Sequence, residues 1–300
     1  MNDIPAPAYR GRFAPSPTGA LHFGSLVAAV GSWLRARSRG GSWIIRIEDL
    51  DPPREIAGAA REQIATLAAF GLVSDEPILW QHQRHEAYAA ALQQLIDAGH
   101  AFPCWCSRSD LQASAGLHHS PCVAAKAADR APAWRLRVPD LTMGFDDVLL
   151  GRYEQALATE VGDFVVRRVE GYYAYQLAVV VDDATQGISE VVRGADLLDS
   201  TPRQILLQKR LGLATPAYLH LPLALDAAGR KLSKQDSALA IAAADPLPAL
   251  RMALGFLGLP VARLGHAGSP DALLAAAVVA FDVAAIPHTA SIVQMRHGTA

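Results

Sequence analysis

The 300-residue sequence is poor in cysteine, in long apolar runs and in net charge. It contains three cysteines and carries a formal charge of −2, which argues against a protein that coats nucleic acid through charge alone. Its longest apolar run, residues 272–286, is broken by Asp282 and is shorter than the ~20 residues that a bilayer requires. The N-terminus lacks the basic start and apolar core of a secretory signal. These absences predict a cytoplasmic protein with no membrane partner.

All three cysteines lie within residues 103–122, together with two histidines. Thiols stay reduced in the cytoplasm, and an odd number of them cannot all form disulfides. Three thiolates and one imidazole complete a tetrahedral shell for a structural Zn²⁺. The expected ligands are Cys104, Cys106, Cys122 and either His118 or His119. The four-residue step to Cys122 favours His118, although spacing alone does not decide between the two. The alternative is that the cysteines are small core residues that hold no metal.

Strand and helix patterns alternate along the first hundred residues. The hydrophobic content of 51% is enough for one large core or two moderate ones. Strands are predicted over residues 10–14 and 42–49, and helices over 24–38, 54–71 and 83–100. This β-α-β-α order predicts an α/β fold with a parallel sheet.

A mixed pattern follows, in which an insertion with the zinc site is expected to interrupt the sheet over residues 101–190. A helix over 195–213 and a strand over 217–225 are predicted after it. Residues 246–300 are expected to form a short helical C-terminal region.

Two polar segments are candidates for anion binding. The turn APSPTGALHFGS (14–25) joins a strand to a helix start, where free backbone N–H groups and the helix dipole favour an anion. His22 adds a donor there. The loop GRKLSKQDS (229–237) places Lys231 and Lys234 three residues apart, so that both can face a polyphosphate. Either segment alone has a simpler interpretation, as an ordinary connection or as solvated surface.

Taken together and in this order, these segments resemble the class I aminoacyl-tRNA synthetases of the glutamyl branch. The resemblance rests on RFAPSPTGALHFGS (12–25) and KLSKQ (231–235), and it continues through RIEDLD (46–51), YAYQLAVVVDDATQG (173–187) and VVRGADLL (191–198). It implies a Rossmann-like, doubly wound catalytic domain over residues 1–245 that activates an amino acid with ATP, with Mg²⁺ accompanying the nucleotide. It also implies that His22 and Lys234 are catalytic and that Gly24, Lys231 and Ser233 join them in binding ATP.

The same resemblance implies a pocket for L-glutamate. Arg12 and Arg193 would bind its two carboxylates, because guanidinium groups hold carboxylates bidentately, but which arginine takes which carboxylate is left open. Glu48 would take the ammonium group, and Ser16 and Tyr175 would add hydroxyl contacts. Two structural alternatives remain: that Arg12 and Glu48 simply pair with each other, and that Tyr175 is a core aromatic residue.

Only 65 residues, 236–300, follow Gln235, so the anticodon-binding domain of an ordinary glutamyl-tRNA synthetase is expected to be absent. The shortened, zinc-bearing form is similar to the glutamyl-Q tRNA(Asp) synthetases, with His118 where those proteins have a tyrosine. This resemblance implies transfer of glutamate to queuosine in the anticodon loop of tRNA(Asp), without an obligate protein partner. Two alternatives remain: a truncated conventional synthetase that charges a tRNA 3′ end, and a non-catalytic RNA-binding zinc module.

Overall fold

The computed structural model describes residues 8–124, 126, 130–226, 229, 241 and 243–293. The described chain begins with a β-α-β unit in which strand β1 (Arg10–Phe13), helix α1 (Phe23–Ser38) and strand β2 (Ser42–Ile47) follow one another. Strands β1 and β2 are parallel, and β2 also pairs with the short strand β3 (Leu79–Trp80). Trp43 to Ile47 are fully buried, as expected for a strand covered on both faces.

A second sheet consists of β6 (Thr142–Asp147), β7 (Gly151–Ala156), β9 (Glu190–Gly194) and β10 (Ala217–Leu221). Its strand order is β7-β6-β10-β9. Strand β10 is parallel to both β9 and β6, whereas β6 and β7 form an antiparallel hairpin. The backbone N–H of Ser189 donates to the carbonyl of Arg10 at 3.0 Å, next to β9 and β1. The α/β fold class is confirmed, with mixed rather than purely parallel sheets.

The segment with the cysteines lies beside a small antiparallel sheet. This sheet has the order β4-β5-β8 and consists of β4 (Ala101–Cys104), β5 (Ala133–Leu136) and β8 (Phe164–Arg167). Strand β6 also lies within residues 101–190, yet it pairs with β10 of the mixed sheet. The segment expected as an insertion is therefore joined to the mixed sheet by backbone hydrogen bonds.

Helices surround these sheets. The remaining ones are α2 (Ala59–Ala69), α3 (His85–Asp97), α4 (Leu157–Glu160), α5 (Tyr175–Thr185), α6 (Thr201–Leu211), α7 (Pro246–Phe256) and α8 (Pro270–Ala280). Helix α2 starts later than predicted because a 3₁₀ turn occupies Pro52–Arg54 and Gly58 precedes the helix with φ of 84°. Among the described residues, no helix combines the length and the apolar character needed to span a bilayer.

The predicted strand 217–225 is two strands that belong to different sheets. Strand β10 ends at Leu221, and β11 (Leu223–Leu225) begins after Pro222, which has no N–H to donate to a ladder. Strand β11 pairs in parallel with β12 (Ser291–Val293), a strand that the sequence patterns did not predict. Helices α7 and α8 share one hydrophobic core with α1, through residues such as Leu254 and Leu274. The C-terminal region thus packs directly on the β-α-β unit.

Candidate active site

The carboxyl ends of β1, β2, β9 and β10 border one cavity of about 830 Å³, the position at which open α/β sheets bind ligands. Seven of the residues singled out in the sequence line it: Arg12, Ser16, His22, Gly24, Glu48, Tyr175 and Arg193. Residues up to 181 positions apart in the chain therefore surround one space. Lys231, Ser233 and Lys234 lie outside the described residues.

The side chain of Gln63, in α2, holds the turn after β1 through hydrogen bonds. The Nε2 of Gln63 donates to the carbonyl oxygens of Ser16 at 3.0 Å and Gly19 at 2.7 Å. His22 is the N-cap of α1, and its Nδ1 accepts from the backbone N–H of Ser25 at 3.4 Å. A Cβ added at Gly24 would lie 3.1 Å from the His22 ring, so a side chain there would press on the imidazole. The start of α1 thus offers an anion backbone N–H groups, a favourable dipole and an imidazole.

Arg12 and Glu48 contribute to a buried charge network, but they do not pair with each other. Arg12 contacts Asp183 through Nε at 3.2 Å and Nη2 at 3.4 Å. Arg46, which is fully buried, donates to Asp183 Oδ1 at 2.7 Å and to Glu48 Oε1 at 3.1 Å. The alternative of a direct Arg12–Glu48 pair is therefore wrong. Within the described chain, the Nη1 of Arg12 and the Oε2 of Glu48 make no hydrogen bond, so both can bind a ligand.

Burial and ion pairing act in opposite directions on the two carboxylates of this network. Burial raises the pKa of Asp183, but the charges of Arg12 and Arg46 outweigh it, and the net pKa is lowered. For Glu48 burial is the stronger effect, and its pKa is raised although Arg46 and Arg12 oppose the shift. Asp183 is thus an ionised carboxylate that holds Arg12 and Arg46 in place. A further cation would stabilise the ionised form of Glu48.

Arg193 is buried and makes no ion pair within the residues that the structure describes. Its strand register sets it opposite His220, and its Nε donates to His220 Nε2 at 3.1 Å. Its Nη1 lies 3.4 Å from the Tyr175 hydroxyl. Tyr175, the first residue of α5, lines the cavity and also packs against a hydrophobic core, and burial raises the pKa of its hydroxyl. The cavity therefore contains a cation surrounded by neutral groups.

Several residues of this site carry no signal that single-sequence reasoning could use. Arg46 and Asp183 lie within the motifs RIEDLD and YAYQLAVVVDDATQG, but their contacts join positions 137 residues apart. His220 lies in a strand whose pattern indicates only burial. Only the structure, in which α5 lies beside β2, shows such long-range pairs.

The four expected zinc ligands form one cluster. The ligand atoms of Cys104, Cys106, His118 and Cys122 all lie within 4.8 Å of one another. His118 is buried, whereas His119 is exposed and is not part of the cluster. The geometry thus favours His118, the histidine that the spacing also favoured.

The hydrogen bonds around this cluster suit a metal centre. The Nδ1 of His118 contacts Asp163 Oδ2 at 3.0 Å, while its buried Nε2 has no partner. Metal-bound histidines typically use one ring nitrogen for the metal and donate the other to a carboxylate. The Sγ of Cys104 accepts from Arg135 Nε at 3.3 Å and from the Cys106 backbone N–H at 3.4 Å, contacts that stabilise a thiolate. These residues therefore fit a tetrahedral Zn²⁺ with four protein ligands.

Comparison with known proteins identifies the family. Residues 8–262 match the family described as "tRNA synthetases class I (E and Q), catalytic domain". The chain belongs to the class I tRNA synthetases. As a member of that family, this synthetase is an ATP-using ligase.

The synthetase is similar to curated proteins named "Glutamyl-Q tRNA(Asp) synthetase". It is 56% identical over 285 residues to the one from Xanthomonas oryzae, and the aligned region covers 95% of this chain and 94% of that protein. It is 54% identical to the one from Burkholderia cenocepacia, over 92% of this chain and 96% of that protein. Among solved structures, a glutamate tRNA ligase from Elizabethkingia meningosepticum matches with a TM-score of 0.77 and 25% identity. That match covers 94% of the synthetase but only 66% of the ligase.

Proposed function

We propose that this synthetase activates L-glutamate with ATP and transfers it to the queuosine base in the anticodon of tRNA(Asp). The observation that carries the first step is the charge pattern of the cavity, in which the buried charged residues of the lining are two arginines, Arg12 and Arg193, and one carboxylate, Glu48. Glutamate has the complementary pattern of two carboxylates and one ammonium. The second step rests on the names of relatives that are more than half identical over nearly their whole length.

Each charged group of glutamate has a candidate partner. The free Nη1 of Arg12 would bind one carboxylate. Arg193 would bind the other by exchanging its longest contact, the 3.4 Å contact from Nη1 to the Tyr175 hydroxyl, for a carboxylate oxygen. Oε2 of Glu48 would accept from the ammonium. That ammonium would be a further cation beside Glu48, whose pKa burial raises despite Arg46 and Arg12. Ser16 and Tyr175 would add hydroxyl contacts at the same cavity wall. Glutamine would leave an arginine without its anionic partner, so the charges of the pocket should favour glutamate over glutamine.

Activation requires no nucleophile from the protein. A carboxylate oxygen of glutamate attacks the α-phosphorus of ATP, a new O–P bond forms, and the bond to the β-phosphate oxygen breaks to release pyrophosphate. The chain's role is positioning and stabilisation of charge on the phosphate oxygens. His22 and the N–H groups at the start of α1 would bind these oxygens, and Gly24 would allow the nucleotide to approach. Lys231, Ser233 and Lys234 would complete the phosphate site, and Mg²⁺ would enter with ATP.

In the proposed second step, a hydroxyl of queuosine attacks the activated carbonyl and displaces AMP. Unpaired loop bases can be splayed out and placed in a pocket, and Arg54 and Arg168 at the cavity wall are candidates for phosphate contacts. Both arginines contact Asp51, which holds them beside the cavity. Such an enzyme would act in the cytoplasm, where tRNA and ATP are found, and would need no protein partner.

Transfer of labelled glutamate should depend on the modified base. We expect tRNA(Asp) with queuosine to accept glutamate, and the same tRNA with guanosine at the wobble position to accept none. The 3′ diol of the product should remain open to periodate, because the glutamate is attached elsewhere. Glutamate on the 3′ end of an unmodified tRNA(Glu) would instead support a truncated conventional synthetase. A chain that forms no adenylate with any amino acid would support the non-catalytic alternative.

We further propose that Cys104, Cys106, His118 and Cys122 bind one structural Zn²⁺. All four positions of the metal would be filled by the protein, which leaves no open position for a substrate. Asp163 would hold the His118 ring through Nδ1, the nitrogen that would not bind the metal. Ser120 and Val138 also donate to this carboxylate. The metal would join β4 to the loop that follows it.

Zinc content should follow the ligand set. We expect about one zinc per chain in freshly purified protein, a loss of nearly all of it in Cys106→Ser, and no loss in His119→Ala, which changes the neighbouring exposed imidazole. Asp163→Asn should weaken zinc affinity about 10- to 100-fold without removing a ligand. Elemental analysis and competition with a chelator measure both quantities. Protein that contains no zinc when freshly purified would leave the cysteines as reduced core residues.

A further inference from the structure

All five N–H groups of the Arg193 guanidinium are directed at neutral acceptors. The hydrogen bonds of the side chain have donor–acceptor distances between 2.7 and 3.4 Å and end on His220 Nε2, Tyr175 Oη, Gln204 Oε1, Leu197 O and Thr201 Oγ1. Arg12 and Arg46 differ, because both contact carboxylates directly. Arg193 is only 5% exposed, so solvent does little to offset its charge.

A carboxylate, that of Asp147, lies near Arg193 and is separated from it by the side chain of His220. Asp147 ends β6, and its Oδ2 lies 2.7 Å from His220 Nδ1. The Oδ1 of Asp147 accepts from the backbone N–H groups of Leu149 and Leu150. The imidazole of His220 therefore lies between the carboxylate and the guanidinium, with Nδ1 facing Asp147 and Nε2 facing Arg193.

We propose that Asp147 and His220 are positioning residues that hold Arg193 as a buried cation and reserve its charge for a carboxylate of the amino-acid substrate. This inference rests on the proposed function, because it assigns two residues to the glutamate pocket. The ionised Asp147 accepts a hydrogen bond from the Nδ1–H of His220, which leaves the Nε2 lone pair to accept a hydrogen bond from Arg193. A carboxylate in the place of His220 would hold the arginine equally well, but it would cancel the charge that the substrate needs.

The protonation states agree with this arrangement. Burial lowers the pKa of His220 and the nearby charge of Arg193 lowers it further, although the hydrogen bond that His220 donates to Asp147 acts in the opposite direction. Burial raises the pKa of Asp147, but its hydrogen bonds to His220 and to backbone N–H groups outweigh burial, and the net pKa is lowered. An ionised Asp147 and a neutral His220 fix a single tautomer. The rings of Phe145 and Tyr218, 6.1 and 6.2 Å from the His220 ring, confine the imidazole.

Two isosteric variants of His220 separate its two contacts. Gln reaches the position of Nε2 and can keep an acceptor for Arg193, whereas Asn reaches the position of Nδ1 and keeps only the contact with Asp147. In glutamate-dependent ATP–pyrophosphate exchange, we expect His220→Asn to raise the KM for glutamate about tenfold or more, with the KM for ATP unchanged. His220→Gln should stay within about threefold of the parent. His100→Asn, which removes a histidine contact to Arg210 elsewhere, is the matched control.

Asp147→Asn tests the tautomer with a side chain of the same size. The asparagine Oδ1 can still accept from the backbone N–H groups of Leu149, Leu150 and, at 3.3 Å, His220, but its amide would donate to His220 Nδ1 and move the imidazole proton to Nε2, facing Arg193. Because the His220 N–H also loses its 3.1 Å contact to Oδ2, the melting temperature is measured beside the KM. We expect the same selective rise in the glutamate KM. In the His220→Gln background this substitution should add little, because the imidazole that it acts on is gone.

The measurements distinguish this inference from the proposed function. Wild-type glutamate KM values in both His220→Asn and Asp147→Asn would overturn it, and so would equal rises in the KM for glutamate and ATP accompanied by a lower melting temperature, since that pattern indicates a structural role. A parent protein that exchanges pyrophosphate with another amino acid but not with glutamate would contradict the proposed function itself.

Discussion

Replacing Arg193 with methionine is expected to reduce glutamate-dependent ATP–pyrophosphate exchange by about 10²- to 10³-fold. Methionine has a similar reach but no charge, and removal of one member of a buried, hydrogen-bonded charge pair costs about 2–5 kcal/mol of binding, or roughly 30- to several-thousand-fold. The loss should appear mainly in the KM for glutamate. Binding of ATP alone, measured by calorimetry, should change little.

Arg152→Met is the matched control for this prediction, because Arg152 is an exposed arginine that pairs with Glu154 on the surface. Its exchange rate should equal that of the parent. The neutral groups around Arg193 lose their donor in the variant, so the melting temperature must be measured alongside activity. A folded Arg193→Met protein with an unchanged KM for glutamate would exclude this arginine from the pocket.

Replacing Asp183 with asparagine should destabilise the fold by about 3–5 kcal/mol. Asp183 is the shared partner of two buried arginines, Arg12 and Arg46, and the removal of one member of a buried ion pair leaves uncompensated charge. Urea unfolding measures the change as a shift of the midpoint at constant slope. The neutral substitution Asp146→Asn, at a carboxylate that is 81% exposed in its pair with Arg152, should change the free energy of unfolding by less than about 1 kcal/mol.

The contribution of Asp183 to stability also has a defined pH dependence. Because its pKa is lowered in the folded state, the contribution is fully present above the pKa of an unfolded aspartate and is lost as the pH falls through the folded value. The wild-type protein should therefore lose stability on acidification more steeply than Asp183→Asn. Equal acid slopes for the two proteins would show that the carboxyl group is not ionised in this network.

The parts of this molecule that could be predicted from sequence are those that local chemistry determines. An apolar, β-branched run predicted β2, and the turn of small residues after β1 predicted where α1 starts. The clustered cysteines predicted a cluster of possible metal ligands, and a four-residue step favoured His118. Each of these predictions depends on residues that lie near one another in the chain.

The remaining features depend on contacts that no local pattern encodes. The pairing of Asp183 with Arg12 and Arg46 arises when α5 packs beside β1 and β2. The hairpin of β6 and β7 makes the sheet mixed, although the alternating order of the first elements predicted a parallel one. The break between β10 and β11 has a local cause in Pro222, but β12, which pairs with β11, lies more than 60 residues later in the chain.

That last pairing has a consequence for how the protein is made. Strand β11 immediately precedes the lysine segment 229–237, yet its hydrogen-bonding partner, Ser291–Val293, leaves the ribosome only after α7 and α8 have been synthesised. The β-α-β unit can begin to fold on the nascent chain, whereas β11 stays without its partner until residues 291–293 have been synthesised. Shortened translation products that end before residue 291 would thus leave the backbone N–H and C=O groups of β11 unpaired on that side.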